Sequence, residues 1–348
     1  MIKVPYTIAE LDVMAAIFYK EIKSEFHLKR NLLAWPNDEL KLVMTYLHNN
    51  LDAIITGQPS LLEHHATIVN PMIEQAKINY EANHSVIIVN GVALPTPAKR
   101  RAYINRWAKG SIEGIFNYDF DQNTSFTQRD NGLLAYRHAK RLKIDTCPYC
   151  NAQFTFTIKN KRVKSRPHFD HFLYKGKHPY LALSFYNLIP SCAVCNSGLK
   201  GQKNFSINTH LHPFIDNIEG LFQFRTKINA IDFLVKGDKF YLSMQPCKGT
   251  TRAERKRAKT SIEVFAINDR YKFHKDYAEE ILKKAYFYNK STIEDLFTSF
   301  KIGTKPIFTS VSEIKELVIG NYMHPDHLHK RILSKVAKDI SEEFGLVL

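Results

Sequence analysis

Two cysteine pairs and one histidine-bearing run have the residue types and spacings that do chemistry in this chain. Cys147-Pro-Tyr-Cys150 and Cys192-Ala-Val-Cys195 each bring two thiols close enough to share one ion. Together they supply the four sulfurs of a structural Zn²⁺ site, with every ligand position filled by protein and none left for substrate. Disulfides are the competing use, but nothing in the sequence indicates an oxidising compartment. A thioredoxin-like redox site needs one such pair at a strand-to-helix junction and leaves the second unexplained. The fifth cysteine, Cys247, stands in "QPCKG" without a partner and reads as a plain surface or core residue. The run "RPHFDHFLYKG" (166–176) sets His168 and His171 on either side of Asp170. By type these are a metal and proton-transfer set; equally, they are three polar residues on an ordinary strand.

The surroundings decide between those readings. The gap between the cysteine pairs is longer than that of a common zinc ribbon, so a substantial insert lies between them. "QFTFTI" (153–158) alternates aromatic and hydroxyl residues, the pattern of a half-buried strand, and "KNKR" supplies a polar turn. "VKSRPHFDHF" then returns as the partner strand. A loop and "NLIPSCAVCNSGLKG" follow. The expected order is strand, strand, loop, helix, with a cysteine knuckle at each end. On a helix starting near Cys192, residues 192, 195 and 196 share a face, and Lys200 lies one turn further along that side. A regular strand sends the neighbours Asp170 and His171 to opposite faces, so both serve one phosphate only if the chain leaves strand geometry there. The glycine and proline of "YKGKHP" fit a loop.

The constellation "CPYC … HFDHF … NLIPSCAVCNSGLKG" resembles the HNH nuclease domain, a ββα-metal fold with a zinc held by four cysteines. The resemblance covers 147–203, about a sixth of the chain. It implies that His171 is the general base, its neutral imidazole taking a proton from water near pH 7. It makes Asp170 a ligand to a catalytic divalent ion and puts Asn196, where other members carry a histidine, at the second ligand position. Two oxygen donors favour Mg²⁺ or Mn²⁺. Asn187 is then the residue that orients the loop of the base. Lys200 is either a contact to the scissile phosphate or a solvent-facing lysine. His168 is a further ligand, a phosphate contact or a packed strand histidine; His178, His210 and His212 are weaker candidates by type. The implied reaction is in-line hydrolysis of a phosphodiester, leaving 5′ phosphates. A zinc-stabilised binding module without cleavage, and an RNase or nickase, are the alternatives. The flanks resemble, faintly, HNH proteins encoded beside SMC- or AAA-type ATPases in bacterial anti-phage systems, which implies a defence role and an ATPase partner.

These residues must be positioned by the rest of a 348-residue chain, 44% hydrophobic and 24% charged, an ordinary globular balance. No apolar run reaches the length of a membrane helix, and the N-terminus lacks the pattern of a signal peptide, so a cytoplasmic protein is expected. The net charge of +15 favours a polyanionic partner, double-stranded DNA first. Its basic runs fall at 99–109, 137–143, 159–166 and 252–259. In the first, Tyr103 and Trp107 lie four apart, a spacing for base stacking or, more simply, for anchoring a helix in the core.

The fold class expected is α+β. Residues 1–140 form a mainly helical region, with Leu40, Val43, Leu47, Leu51 and Ile54 at helical spacing and Leu11, Ala15 and Phe18 repeating the pattern earlier. Thr96-Pro97 reads as a helix start and Asn90-Gly91 as a hairpin turn. Residues 141–215 hold the HNH-like segment. Residues 216–348 run from strands, with a turn at Lys236-Gly237-Asp238, into helices. The last helix is expected to begin near Pro325 and to bury Leu328, Ile332, Val336, Ile340 and Phe344.

Overall fold

A computed structural model describes residues 1–121, 123–228 and 240–346. The chain is α+β, with a helical N-terminal region and strands confined to small antiparallel pairs. α1 (Ile8–Phe26), α2 (Leu28–Leu33), α3 (Lys41–Asn49), α4 (Leu51–Thr56) and α5 (Pro59–Asn83) come first. A capping box starts α1: the Thr7 side chain accepts from the Glu10 amide while the Glu10 carboxylate accepts from the Thr7 amide. The apolar stripes point inward as their spacing requires, with Leu11, Ala15, Phe18, Leu40, Val43, Leu47, Leu51 and Ile54 all buried. β1 (Ile88–Val89) and β2 (Val92–Ala93) make a hairpin in which both turn residues have positive φ, Asn90 at 51° and Gly91 at 80°. α6 (Pro97–Ile115) starts at the Thr96 cap. Trp107 packs half-buried against the core with the Tyr80 ring tilted against it at 4.2 Å, the anchoring use of that face. α7 (Arg129–Leu142) leads into the first cysteine pair.

The central segment departs from the expected strand order. β3 (Ile158–Lys159) and β4 (Lys164–Ser165) pair over only two residues each. β5 (His168–His171) pairs instead with β6 (Leu188–Ser191), in the register His168↔Ser191 to His171↔Leu188. Pro167 has no amide hydrogen to continue a ladder from β4 into β5. All four residues of β6 are buried and need a partner strand. Along 153–158 the threonine face turns inward: Thr155 is buried and its hydroxyl donates to Ile144 O, while Phe154 and Phe156 stay near half exposed.

The C-terminal region pairs β7 (Phe222–Ile228) with β8 (Phe240–Pro246); the expected turn at 236–238 lies outside the described residues. α8 (Arg252–Val264), α9 (Ile267–Tyr271), α10 (Lys275–Phe287), α11 (Lys290–Ser299), the β9 (Lys301–Ile302) and β10 (Lys305–Pro306) hairpin, and α12 (Val311–Ile319) follow. The last helix does not begin at Pro325. A 3₁₀ turn covers Pro325–Lys330, and α13 (Ser334–Glu343) starts after Leu333, whose φ is 60°. Asn151 produces the break. Its side chain donates to the carbonyls of Leu328 and Arg331 and accepts from the Lys335 amide, capping α13 from beside the first cysteine pair.

One apolar core runs through all three regions. The N-terminal helices seat directly on the central segment, where Tyr186 donates to Asp12 at 2.6 Å and Tyr6 donates to Leu142 O. At this junction His138 sits among Phe18, Phe126, Phe169 and Phe185, and neither of its ring nitrogens has a hydrogen-bond partner among the described residues. Burial holds its pKa well below the ordinary 6.5, so the folded chain keeps it neutral. His212 is buried too, its Nε2 donating to Tyr186 O, and its pKa is pushed down to about 3, first by burial.

Acid sensitivity is the consequence. These histidines bind protons in the unfolded chain below about pH 6.5 and not in the folded one, so their contribution to stability is complete above that pH and is lost as pH falls. Each removes about 1.2 kcal/mol between pH 6 and 5. Unfolding free energies from urea titrations at the two pH values should show His138→Phe losing less than wild type by about that amount. That difference isolates His138 whatever the cysteines add, and identical losses would show that His138 is protonated within the fold.

Candidate metal cluster and active site

The two knuckles meet. Cys147, Cys150, Cys192 and Cys195 are buried, and their sulfurs all lie within 4.8 Å of one another, with Cys150 and Cys192 at 4.0 Å. A tetrahedral ion with Zn–S bonds of about 2.3 Å separates its sulfurs by about 3.8 Å, so the donor set fits a zinc-sized ion with little movement. Amides aim at the sulfurs: Ala152 N at Cys150, Cys192 N at Cys147 and Cys195 N at Cys192. Arg270 of α9 donates to Cys195 Sγ at 3.2 Å, a positive charge beside sulfurs that must ionise to hold a cation. Burial, then the neighbouring sulfurs, push the Cys147 thiol well up, while hydrogen bonds from the neighbouring sulfurs lower Cys150 and Cys192. These four cysteines could hold a metal ion such as zinc.

The second knuckle leads into a wide π-helical turn, Val194–Lys200, in which Gly201 N donates to Asn196 O. This is not the α-helix expected from Cys192. In this turn Lys200 points into the protein while Asn196 lines a cleft. Lys200 is 1% exposed, neither solvent-facing nor at a phosphate surface. Its ammonium donates to His171 O at 2.6 Å and pairs with Asp170 Oδ1 at 3.0 Å. Tyr149 donates to the other carboxylate oxygen at 2.6 Å. Asp170 is itself 1% exposed; burial raises its pKa, and Lys200 and Tyr149 pull it back. Both carboxylate oxygens therefore have protein partners, and buried Asp170 does not line the cleft onto which Asn196 opens. Among the described residues, the four cysteines are the one group of three or more His, Cys, Asp or Glu placed to hold a metal. The expected Mg²⁺ or Mn²⁺ site on Asp170 and Asn196 does not fit this arrangement. The regular β5 ladder is the physical reason, since it sends Asp170 inward to the lysine.

The Asp170–Lys200 pair is a structural element with a measurable signature. Lys200→Met strands a buried carboxylate and is expected to cost about 3–5 kcal/mol in denaturant unfolding, whereas Asp170→Leu combined with Lys200→Met should recover most of it. A near-neutral Lys200→Met single variant would show that the pair is solvated.

His171 takes the other face of the strand. Its Nε2 lies 3.0 Å from Ala182 O, and since a carbonyl only accepts, Nε2 carries the proton and Nδ1 the free lone pair. The imidazole edge packs on Tyr118, which follows α6. Burial first, then the Lys175 charge, pushes the His171 pKa down to about 3, partly offset by Ala182 O. Asn187 fixes the loop that makes this possible. It donates to Leu173 O and Leu181 O and accepts from Leu173 N at 2.7 Å, closing 173–187 on itself and placing Ala182 beside the ring.

Outside the ring lies a cleft of about 290 Å³ lined by His171, His168, Asn196, Arg166, Lys175 and Asp119. His168 is exposed and opens onto it, a solvent-facing position and not a packed one. Asp119 pairs with Lys175. Arg166 has no carboxylate partner among the described residues; its guanidinium lies over Tyr136 and Phe169. The remaining histidines are elsewhere. His178 hydrogen-bonds with Asn70 and Tyr180, His210 stacks on Phe205, and His212 supports Tyr186. Sequence reading missed Tyr118, Asp119 and Lys175. Asp119 and Lys175 are 56 residues apart and are joined only by the docking of the N-terminal helices, which no local pattern encodes.

No protein-family model matches this chain, and searches of curated proteins and of solved structures return no match either. Among the described residues, no helix is long and apolar enough to cross a membrane.

Proposed function

We propose that the chain is an endonuclease of the HNH class that hydrolyses phosphodiester bonds in nucleic acid, with a structural zinc in the four cysteines. The observation that carries this reading is His171: a neutral imidazole tied through Nε2 to a backbone carbonyl at the wall of a basic cleft, with Nδ1 as its free lone pair. In this reading Nδ1 takes a proton from water, the oxygen attacks phosphorus in line, and the P–O3′ bond breaks, with the leaving oxygen protonated from solvent. Arg166 and Lys175 meet the phosphate charge, and Asn196 offers an amide to a non-bridging oxygen. A conjugate-acid pKa near 3 makes a weak base; an anionic phosphate seated beside the ring raises it toward neutrality. No step is routed through a divalent ion, because Asp170 does not offer one a ligand. A role in phage defence beside an ATPase belongs to the same proposal and rests on the resemblance alone.

One observation favours a second reading, a nucleic-acid-binding module without cleavage: the carboxylate expected at the reaction centre is locked by Lys200 and Tyr149. One experiment separates the two. Supercoiled plasmid and single-stranded oligonucleotides are incubated with wild type and His171→Ala, with Mg²⁺, with Mn²⁺ and without either. Cleavage by wild type alone supports the enzyme. Equal binding with no cutting under any condition leaves the binding module.

A further inference from the structure

Next to the His171 cleft lies a second one, of about 260 Å³, and the two share Arg166 and His168. Its far wall is the outward face of 153–158. Phe154 and Phe156 lie there ring on ring, with centroids 4.4 Å apart and planes 21° from parallel. They are 45% and 47% exposed, with Ile158 beyond them at 45%. Two stacked phenylalanines left in water cost free energy that the fold could have recovered by presenting the threonine face instead. The hairpin continuing from them, 159–166, carries Lys159, Lys161, Arg162, Lys164 and Arg166, and no acidic residue stands between Asn151 and Phe169. An apolar ring stack at the root of a purely cationic hairpin matches a ligand with aromatic faces on an anionic backbone.

We infer that Phe154 and Phe156 form a stacking platform for an unpaired nucleobase, so that the strand entering the His171 cleft is single-stranded where it crosses the β3–β4 hairpin. A base within a duplex has both faces covered by its neighbours; only an unstacked base presents one to a protein ring. The cleft is smaller than the roughly 300–1,000 Å³ of a drug-sized ligand pocket, which suits one base. The Lys and Arg side chains of the hairpin track the backbone, and Arg166, between the clefts, hands it toward His168 and His171. This assignment names the substrate class of the site proposed above; it rests on that reading for the cleavage step and not for binding.

The test is fluorescence anisotropy with the full, zinc-loaded chain carrying His171→Ala, so that the probe survives. The probes are a labelled oligo(dT) 12-mer, an oligo(U) 12-mer and a 12-base-pair duplex. Phe154→Ala combined with Phe156→Ala should weaken binding to the single strands about 5- to 150-fold and leave the duplex within about twofold. Whichever of dT or U responds more tells DNA from RNA, and either response supports the platform. Phe154→Leu with Phe156→Leu should lose nearly as much, since leucine keeps the apolar area and loses the ring face. Lys161→Gln with Arg162→Gln should weaken every probe and lower the salt slope by about 1–2. Three results overturn the inference: unchanged single-strand affinity, equal losses on single strand and duplex, or a change in self-association on removing the rings, which would make the face a protein interface. Cleavage by otherwise wild-type chain is scored separately, so a chain that binds through the rings but never cuts refutes the nuclease and not the platform.

Discussion

Replacing Cys150 or Cys195 with serine, or stripping the cluster with a strong zinc chelator, is expected to unfold the central segment and to take the C-terminal region with it. Structural zinc contributes about 10–16 kcal/mol of apparent binding free energy at neutral pH, against a total stability of about 5–15 kcal/mol for a typical domain. The architecture tells how the loss spreads. Two cysteines stand at each end of an insert whose own strand pairs span two and four residues, too short to hold it alone. Cys150 is followed by Asn151, which caps α13, and Cys150 O accepts from Tyr271 of α9 at 2.8 Å. Cys195 is anchored to Arg270. When the sulfurs part, these links to α9 and α13 lose their anchor. Native mass spectrometry should find one zinc per chain, and chelation should remove ordered structure by circular dichroism on the timescale of metal loss. Chain purified without metal and as stable as the zinc form would refute the structural site. Cys247→Ser serves as the control: that half-exposed residue lies outside the cluster and should leave the metal bound.

What could be read from residue order was whatever local chemistry determines. The helix start at Thr96 follows from its cap, and the turn at Asn90-Gly91 follows from the positive φ that both residues tolerate. The four-cysteine cluster was legible because metal-ligand spacing is itself a short-range signal. Asp170 was not legible. Its fate depends on a π-helical turn thirty residues later that swings Lys200 inward, and nothing in "CNSGLKG" distinguishes that turn from an α-helix. The same limit hid which face of 153–158 turns inward. Alternation gives two faces; the Ile144 and Asp145 carbonyls that receive Thr155 decide between them. The break before α13 likewise belongs to Asn151, about 180 residues away in sequence. In each case a long-range polar partner overrode a local pattern.

His171→Ala is expected to lower phosphodiester cleavage by about 10²–10⁴-fold while nucleic-acid affinity changes little, because a general base acts on the transition state and not on ground-state binding. His171→Gln is the better fold control, since its amide nitrogen reaches the Nε2 position and still offers a donor toward Ala182 O. Asn187→Ala should lower cleavage through position alone: three hydrogen bonds closing 173–187 go, Ala182 O is released, and the ring loses the contact that fixes its tautomer. The pH profile separates this site from an exposed histidine. Burial and Lys175 hold His171 neutral down to about pH 3 in the free chain, so kcat/KM should stay level from pH 8 to 6 and fall only where the fold itself fails. An acid limb between pH 8 and 6 in folded, zinc-loaded chain would mean that the base is not buried His171; exposed His168 also lines the cleft. His168→Ala then decides. If His171 is the base, His168→Ala leaves the pH profile unchanged and costs less than His171→Ala. If the acid limb vanishes together with the activity, the roles of the two histidines are reversed.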